Sequence, residues 1–200
     1  LTAAFGASGT FTGNLGSAVV TVADSATLTA AASVVDGKTI NHSTNGAVSV
    51  DVSALATGAT ALVLKGSADF TVTSLISNLT ATNVSGTLSA TLADDAAVTI
   101  ATGSGTNTIV ATAMTDGDAL TLTGSSAASV SFANADLIAS AYTGALTVTG
   151  TGTTGQFTTG TATSSISSTG ATTIVATAMA DDQTLTTSGA GATTITGLQA

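Results

Sequence analysis

The sequence predicts an all-β chain folded as a parallel β-solenoid, a right-handed β-helix of about 19–22 residues per coil. Three observations lead there. Short tracts alternate branched apolar residues with small polar ones. Related tracts return in register along the chain. Proline, cysteine and tryptophan are absent.

The alternating tracts are SVDVSAL at 49–55, ALVLKG at 61–66, FTVTSL at 70–75, AVTI at 97–100, ALTLTG at 119–124, SVSF at 129–132 and ALTVTG at 145–150. Alternation with period two sends one set of side chains inward and the other outward, and β-branched residues favour strands. Gly, Asn, Asp and Ser fill the intervals and supply turns. Glu and Arg are missing and no segment keeps helical periodicity, so helices are not expected. Leu62, Leu64, Leu120, Leu122, Leu146 and Val148 form the expected inward set.

The register shows in a repeated heptapeptide. TIVATAM occurs at 108–114, followed by TDGDALTLTG, and again at 173–179, followed by ADDQTLTTSG. Aligning Asp36, Asp94, Asp116 and Asp181 puts Gly or Asp next, and Ile40, Val98, Leu120 and Leu185 four places on. Val50, Thr108, Val130 and Ile195 stand fourteen places on. The separations of 58, 22 and 65 residues approximate three, one and three units of about 19–22 residues. In a solenoid each coil lies on the one before, so the same inward and outward slots return every coil. A coil of that length has a perimeter near ~65 Å, enough for two or three short faces, and ten coils would stack to roughly 48 Å. Asp24 opens a matching DSATLT only 12 residues before Asp36, which is either absorbed by a corner of variable length or a chance match. Absence of proline suits the fold, because proline deletes a ladder hydrogen bond. The rival is an antiparallel sandwich of immunoglobulin-like modules, which ordinarily carries a core Trp and more large apolar residues. Residues 1–200 read as one repeat array; the chain begins without an initiator Met or a signal-like segment and ends inside the pattern, so it reads as part of a longer polypeptide.

The Thr/Ala/Gly/Val-rich repeats without Pro or Cys, with their ALTLTG and ALTVTG strands, resemble the β-solenoid regions of giant secreted bacterial surface proteins. These include surface-layer proteins and adhesins exported by type I secretion. The resemblance implies a secreted, cell-surface location and a structural role. It also implies calcium-binding nonapeptides of the form G-G-x-G-x-D-x-U-x. The nearest stretch, GSGTNTIV at 103–110, has Asn107 where the Asp would stand.

Composition excludes several classes. Charged residues are 6% and the net charge is −9, with only Lys38 and Lys65 positive. No counterion release is available to drive nucleic-acid binding, and an anionic membrane surface is equally disfavoured. No apolar run reaches the ~18 residues of a membrane helix, and tracts this short with 3% aromatics lack the strands and girdles of a membrane barrel. Without Cys the fold holds by burial and hydrogen bonding alone. The sequence also argues against an enzyme. Glycosidases need grouped carboxylates beside a substrate platform, and here Arg and Trp are absent and Tyr142 is the single Tyr. His42, the single His in TINHST, reads as a surface residue.

Three features remain as candidate sites. The first is paired acids: Asp94 with Asp95, Asp116 with Asp118, and Asp181 with Asp182. Ca²⁺ takes roughly six to eight hard oxygen ligands, and acids stacked at successive corners would repel unless a cation joined them. The alternative is that each Asp hydrogen-bonds its own turn. The second is the Thr-x-Thr tracts at 27–29, 71–73, 121–123, 147–149, 184–186 and 194–196. Stacked on one face they would match an ice-binding surface; otherwise Thr is a good outward strand residue. The third is glycans: NHS at 41–43, NLT at 78–80 and NVS at 83–85 match the N-glycosylation pattern, and exposed Ser and Thr can accept O-linked sugars. The five Phe are too dispersed for a stacking platform and read as core fillers or end caps. The expected partners are other copies of the chain or neighbouring coils, joined through exposed sheet edges.

Overall fold

A computed structural model describes residues 2–11, 19–23, 28–30, 39–42, 47–51, 62–93, 97–152 and 155–198. Among them are twenty-one short strands and no helix. The odd-numbered strands form one eleven-stranded sheet. They are β1 (Thr2–Phe5), β3 (Val19–Val22), β5 (Thr39–His42), β7 (Leu62–Gly66), β9 (Leu79–Val84), β11 (Val98–Ala101), β13 (Ala119–Thr123), β15 (Asp136–Ile138), β17 (Gln156–Thr158), β19 (Thr172–Val175) and β21 (Thr193–Thr196). A second, eight-stranded sheet holds β6 (Ala47–Asp51), β8 (Asp69–Leu75), β10 (Leu88–Leu92), β12 (Asn107–Ala111), β14 (Ala128–Phe132), β16 (Leu146–Gly150), β18 (Ser164–Ser168) and β20 (Leu185–Ser188). Near the start, β2 (Gly9–Phe11) pairs with β4 (Leu28–Ala30).

Every strand pairing among the described residues is parallel, and each strand up to β19 except β4 pairs with the strand two places on. The chain is therefore a parallel β-solenoid whose coil contributes one strand to each of two faces. The pairing Thr2↔Val19 closes a coil of 17 residues and Thr39↔Val63 one of 24. The repeat thus varies more than the expected range, with the difference taken up in the corners.

Alternation places the side chains as the sequence predicts. Leu62, Leu64, Leu120, Leu122, Leu146 and Val148 are all buried. In the second sheet one inward file runs Val72, Ala90, Ile109, Val130, Val148 and Ile166, each paired with the next. In the first sheet a file runs Val98, Leu120, Leu137, Phe157 and Ile174. The facing files meet in one continuous core. Phe132 and Phe157 lie in that core with ring centroids 5.7 Å apart. Phe5 and Phe11, half-buried, make an edge-on pair at 5.4 Å in the first coil. Tyr142 is buried and its hydroxyl donates to the Ser126 carbonyl. Burial pushes its phenol pKa up, opposed by a hydrogen bond with Thr102.

The repeated heptapeptide corrects the counting. Its first copy runs through β12 of the second sheet and its second through β19 of the first. The 65-residue interval is therefore seven strand-and-corner units, three and a half coils rather than three. Both copies build the same corner. The Met114 N–H donates to the Ala111 carbonyl and the Met179 N–H to the Ala176 carbonyl, each at 3.2 Å. Both Ala and both Met are buried, so the bend is closed by tucking Met inward. Each corner then needs a left-handed residue. Gly117 takes it at φ 95° and Asp182 at φ 67°, which Gly adopts freely and Asp tolerates.

Candidate functional site

Two surfaces carry the polar chemistry: the acidic corners and the outward face of the second sheet. Asp116 and Asp118 lie in the corner between β12 and β13. Asp181 and Asp182 lie in the corner between β19 and β20. The first corner passes from the second sheet to the first, and the other passes back. These pairs are thus on opposite edges of the solenoid, and the expectation that they stack on neighbouring coils does not hold. The cause is the half coil in the 65-residue interval. Asp94 and Asp95 fall outside the described residues.

The Asp118 carboxylate is engaged in its own turn. One oxygen accepts from the Thr115 N–H at 2.8 Å and the Thr115 hydroxyl at 2.9 Å. The Asp118 N–H in turn donates to the Thr115 carbonyl at 3.1 Å. This is the local hydrogen bonding by which Asp stabilises a bend. Asp116, Asp181 and Asp182 are exposed. Among the described residues no three His, Cys, Asp or Glu come together as a metal-binding group.

Sequence reasoning missed a second use of polar side chains, as rungs between coils. Asp69 Oδ1 accepts from the Thr87 N–H at 2.7 Å, Asn78 Oδ1 from the Thr99 N–H at 2.8 Å, and Asp136 Oδ1 from the Gln156 N–H at 2.8 Å. Gln183 Oε1 reaches back to the Thr163 N–H at 2.9 Å. Each side chain sits at or just before a strand and carries the hydrogen-bond ladder past the strand end. The Thr87 N–H, and then its hydroxyl, hold the Asp69 carboxyl below the usual carboxylate range against a smaller opposing effect of burial. The Asn78 amide oxygen of one sequon is engaged in such a rung, whereas Asn83 of another stands exposed on β9.

The outward face of the second sheet is lined almost wholly with hydroxyls. One file pairs Thr71, Ser89, Thr108, Ser129, Thr147, Ser165 and Thr186, with Thr and Ser alternating on seven successive coils. A second file pairs Thr91, Val110, Ser131, Thr149, Ser167 and Ser188. From β10 to β20 no strand of this sheet contains a charged residue. The first sheet is different. Its outward file of Thr99, Thr121, Ile138, Thr158, Val175 and Thr196 is mixed, and Lys65 and Asp136 stand on its strands.

The Thr-x-Thr tracts are divided between the faces. Those at 71–73 and 147–149 belong to the second sheet, and those at 121–123 and 194–196 to the first. The tract at 27–29 lies partly outside the described residues. Serine interleaves with threonine to complete the files, and no sequence spacing announced it. His42 is a residue of β5.

No protein-family model, curated protein or solved structure matches this chain.

Proposed function

We propose that the chain is a structural component of a bacterial extracellular surface layer, sheath, filament or giant adhesin, self-associating through its coils. The observation that supports this reading is the regular parallel stack, in which each coil buries the inward file of the coil before it and carries both hydrogen-bond ladders onward. Ile195 continues the inward file of Ile174, yet it is 39% exposed where Ile174 is 1% exposed. Leu185 and Thr187 stand in the inward register of buried Ser164 and Ile166, and are themselves half-buried and exposed. The backbone groups along the outer edges of these strands await another strand. A further coil, of a longer chain or of a neighbouring copy, would bury the apolar file and continue both ladders by strand addition. The extracellular bacterial setting is supported by the compositional resemblance and by the cysteine-free chain.

Electron microscopy and sedimentation of the purified chain test this. Rods longer than one chain, growing with concentration, are expected. Ile195→Lys, at a position already exposed, should shorten them. A chain that stays one unit long at millimolar concentration would refute the reading.

A second reading, a binding module for ice or another ordered surface, draws on the unbroken hydroxyl file of the second sheet. Growth-habit microscopy of ice crystals in the presence of the protein tests it; unmodified crystals would dismiss it.

A further inference from the structure

The second sheet's outward face is self-complementary, and we propose that it pairs laterally with the same face of a second copy, the two solenoids running in opposite directions. This goes beyond end-on growth, since it uses a side of the rod and closes on itself.

The inference starts from residue size. Consider the six strands from β10 to β20. A two-fold axis in the interface, along the strands and midway between β14 and β16, reverses the coil order. It sets β10 against β20 of the other copy, β12 against β18, and β14 against β16. In the first file Ser89 then meets Thr186, Thr108 meets Ser165, and Ser129 meets Thr147. In the second file Thr91 meets Ser188, Val110 meets Ser167, and Ser131 meets Thr149. In all six pairs a β-branched residue faces a serine, so each projecting methyl finds the lower surface it needs. With the rods parallel, the two files of one coil would face each other. Then Thr147 meets Thr149 and Thr108 meets Val110, bulk against bulk, while Ser129 meets Ser131 across a gap. A parallel pair staggered by one coil still sets Thr91 against Thr108 and Ser165 against Ser188 and does not close on a two-fold, so the inverted arrangement, matched at all six pairs, fits best.

Charge selects the same face. The chain carries −9, so most approaches of two copies bring like charges together. The strands β10 to β20 of this sheet contribute no charged residue, and sheet faces packed together stand about 10 Å apart. Area sets the strength. Six strands of about 4.8 Å spacing and five-residue width cover roughly 500 Å² on each copy, about 1,000 Å² in all. That is the lower limit for a specific interface and belongs to weak, transient association. The closed two-fold interface is of the isologous kind that gives dimers.

The test exploits the size pairing. Sedimentation equilibrium of the full chain carrying Ile195→Lys, which blocks end-on growth, should show a monomer–dimer equilibrium that higher salt does not weaken. Ser129→Thr puts Thr against Thr at the centre, twice by symmetry, and should weaken dimerisation about tenfold. The exchange Ser129→Thr with Thr147→Ser should restore it. Ser131→Asp should abolish dimers, while Thr173→Asp on the first sheet should leave them unchanged. All of these positions are outward and circular dichroism should report an unaltered fold. Equal loss from Ser129→Thr and from the exchanged pair would overturn the inverted pairing. So would dimers lost to Thr173→Asp, or a strictly monomeric chain whose Ser131→Asp variant loses ice or glycan binding instead. Ile195→Lys keeps the two readings apart: it removes long rods if end-on growth is real and leaves the closed dimer intact.

Discussion

Truncating Leu120 to alanine is the sharpest probe of the inward register. Leu120 is fully buried on β13, paired with Val98 of the coil before and Leu137 of the coil after. Neither neighbour is free to collapse, because each is itself fixed in a ladder. The loss should therefore lie within the usual range for buried Leu→Ala, about 2–5 kcal/mol. Coils contact only their neighbours, so the damage should be local rather than spread along the rod. Hydrogen exchange read by mass spectrometry is the appropriate assay. Protection should fall in peptides covering β11, β13 and β15, and remain near its original value in β18 to β20. Thr121→Ala, one residue on and facing out, is the control and should cost under about 1 kcal/mol. If both variants lost protection equally, or if exchange rose uniformly from end to end, the inward assignment or the neighbour-only coupling would be wrong.

Three further outcomes are expected. Asn107 is buried with Nδ2 donating to the carbonyls of Gly105 and Ala127, while its Oδ1 has no partner; Asn107→Leu removes both donations and should lower the stability read from urea unfolding by about 1 kcal/mol. The Asp69 pKa is lowered in the fold, so its contribution is present above its unfolded value near ~3.9 and is lost as pH falls through the folded value. Asp69→Asn, which keeps an acceptor for Thr87, should flatten acid melting curves below about pH 4. Because the Asp118 carboxylate is engaged by Thr115, thermal melting with Ca²⁺ and with a chelator should coincide; a higher midpoint in Ca²⁺ would instead point to a site involving the other paired acids.

Much of this architecture was legible because it depends on local alternation. ALTLTG and ALTVTG placed Leu120, Leu122, Leu146 and Val148 inward without any knowledge of neighbours. What could not be read depends on which residues of different coils lie side by side. Coil length varies from 17 to 24 residues, so a fixed period misplaces the half coil between the TIVATAM copies. It also hides the pairing of Ser129 with Thr147, and of Asp136 with Gln156. Residues joined across coils are invisible until corner lengths are known. Asp118 is the instructive intermediate: its turn bond is local and was one of two readings, while its separation from Asp181 is not local.

The corner motif shows what the fold itself requires. One heptapeptide closes a bend from the second sheet to the first at Met114, and from the first to the second at Met179. The two halves of a coil are therefore equivalent as far as bends and inward files are concerned. A chain under no other constraint would clothe both faces alike. It does not: the first sheet mixes Thr, Ile, Val, Lys and Asp outward, while β10 to β20 show Ser and Thr with one Val. Outward positions contribute little to stability and tolerate substitution, so stacking cannot account for the difference. The hydroxyl face then answers to something outside the coil, and the six matched size pairs are what favour the proposed second copy.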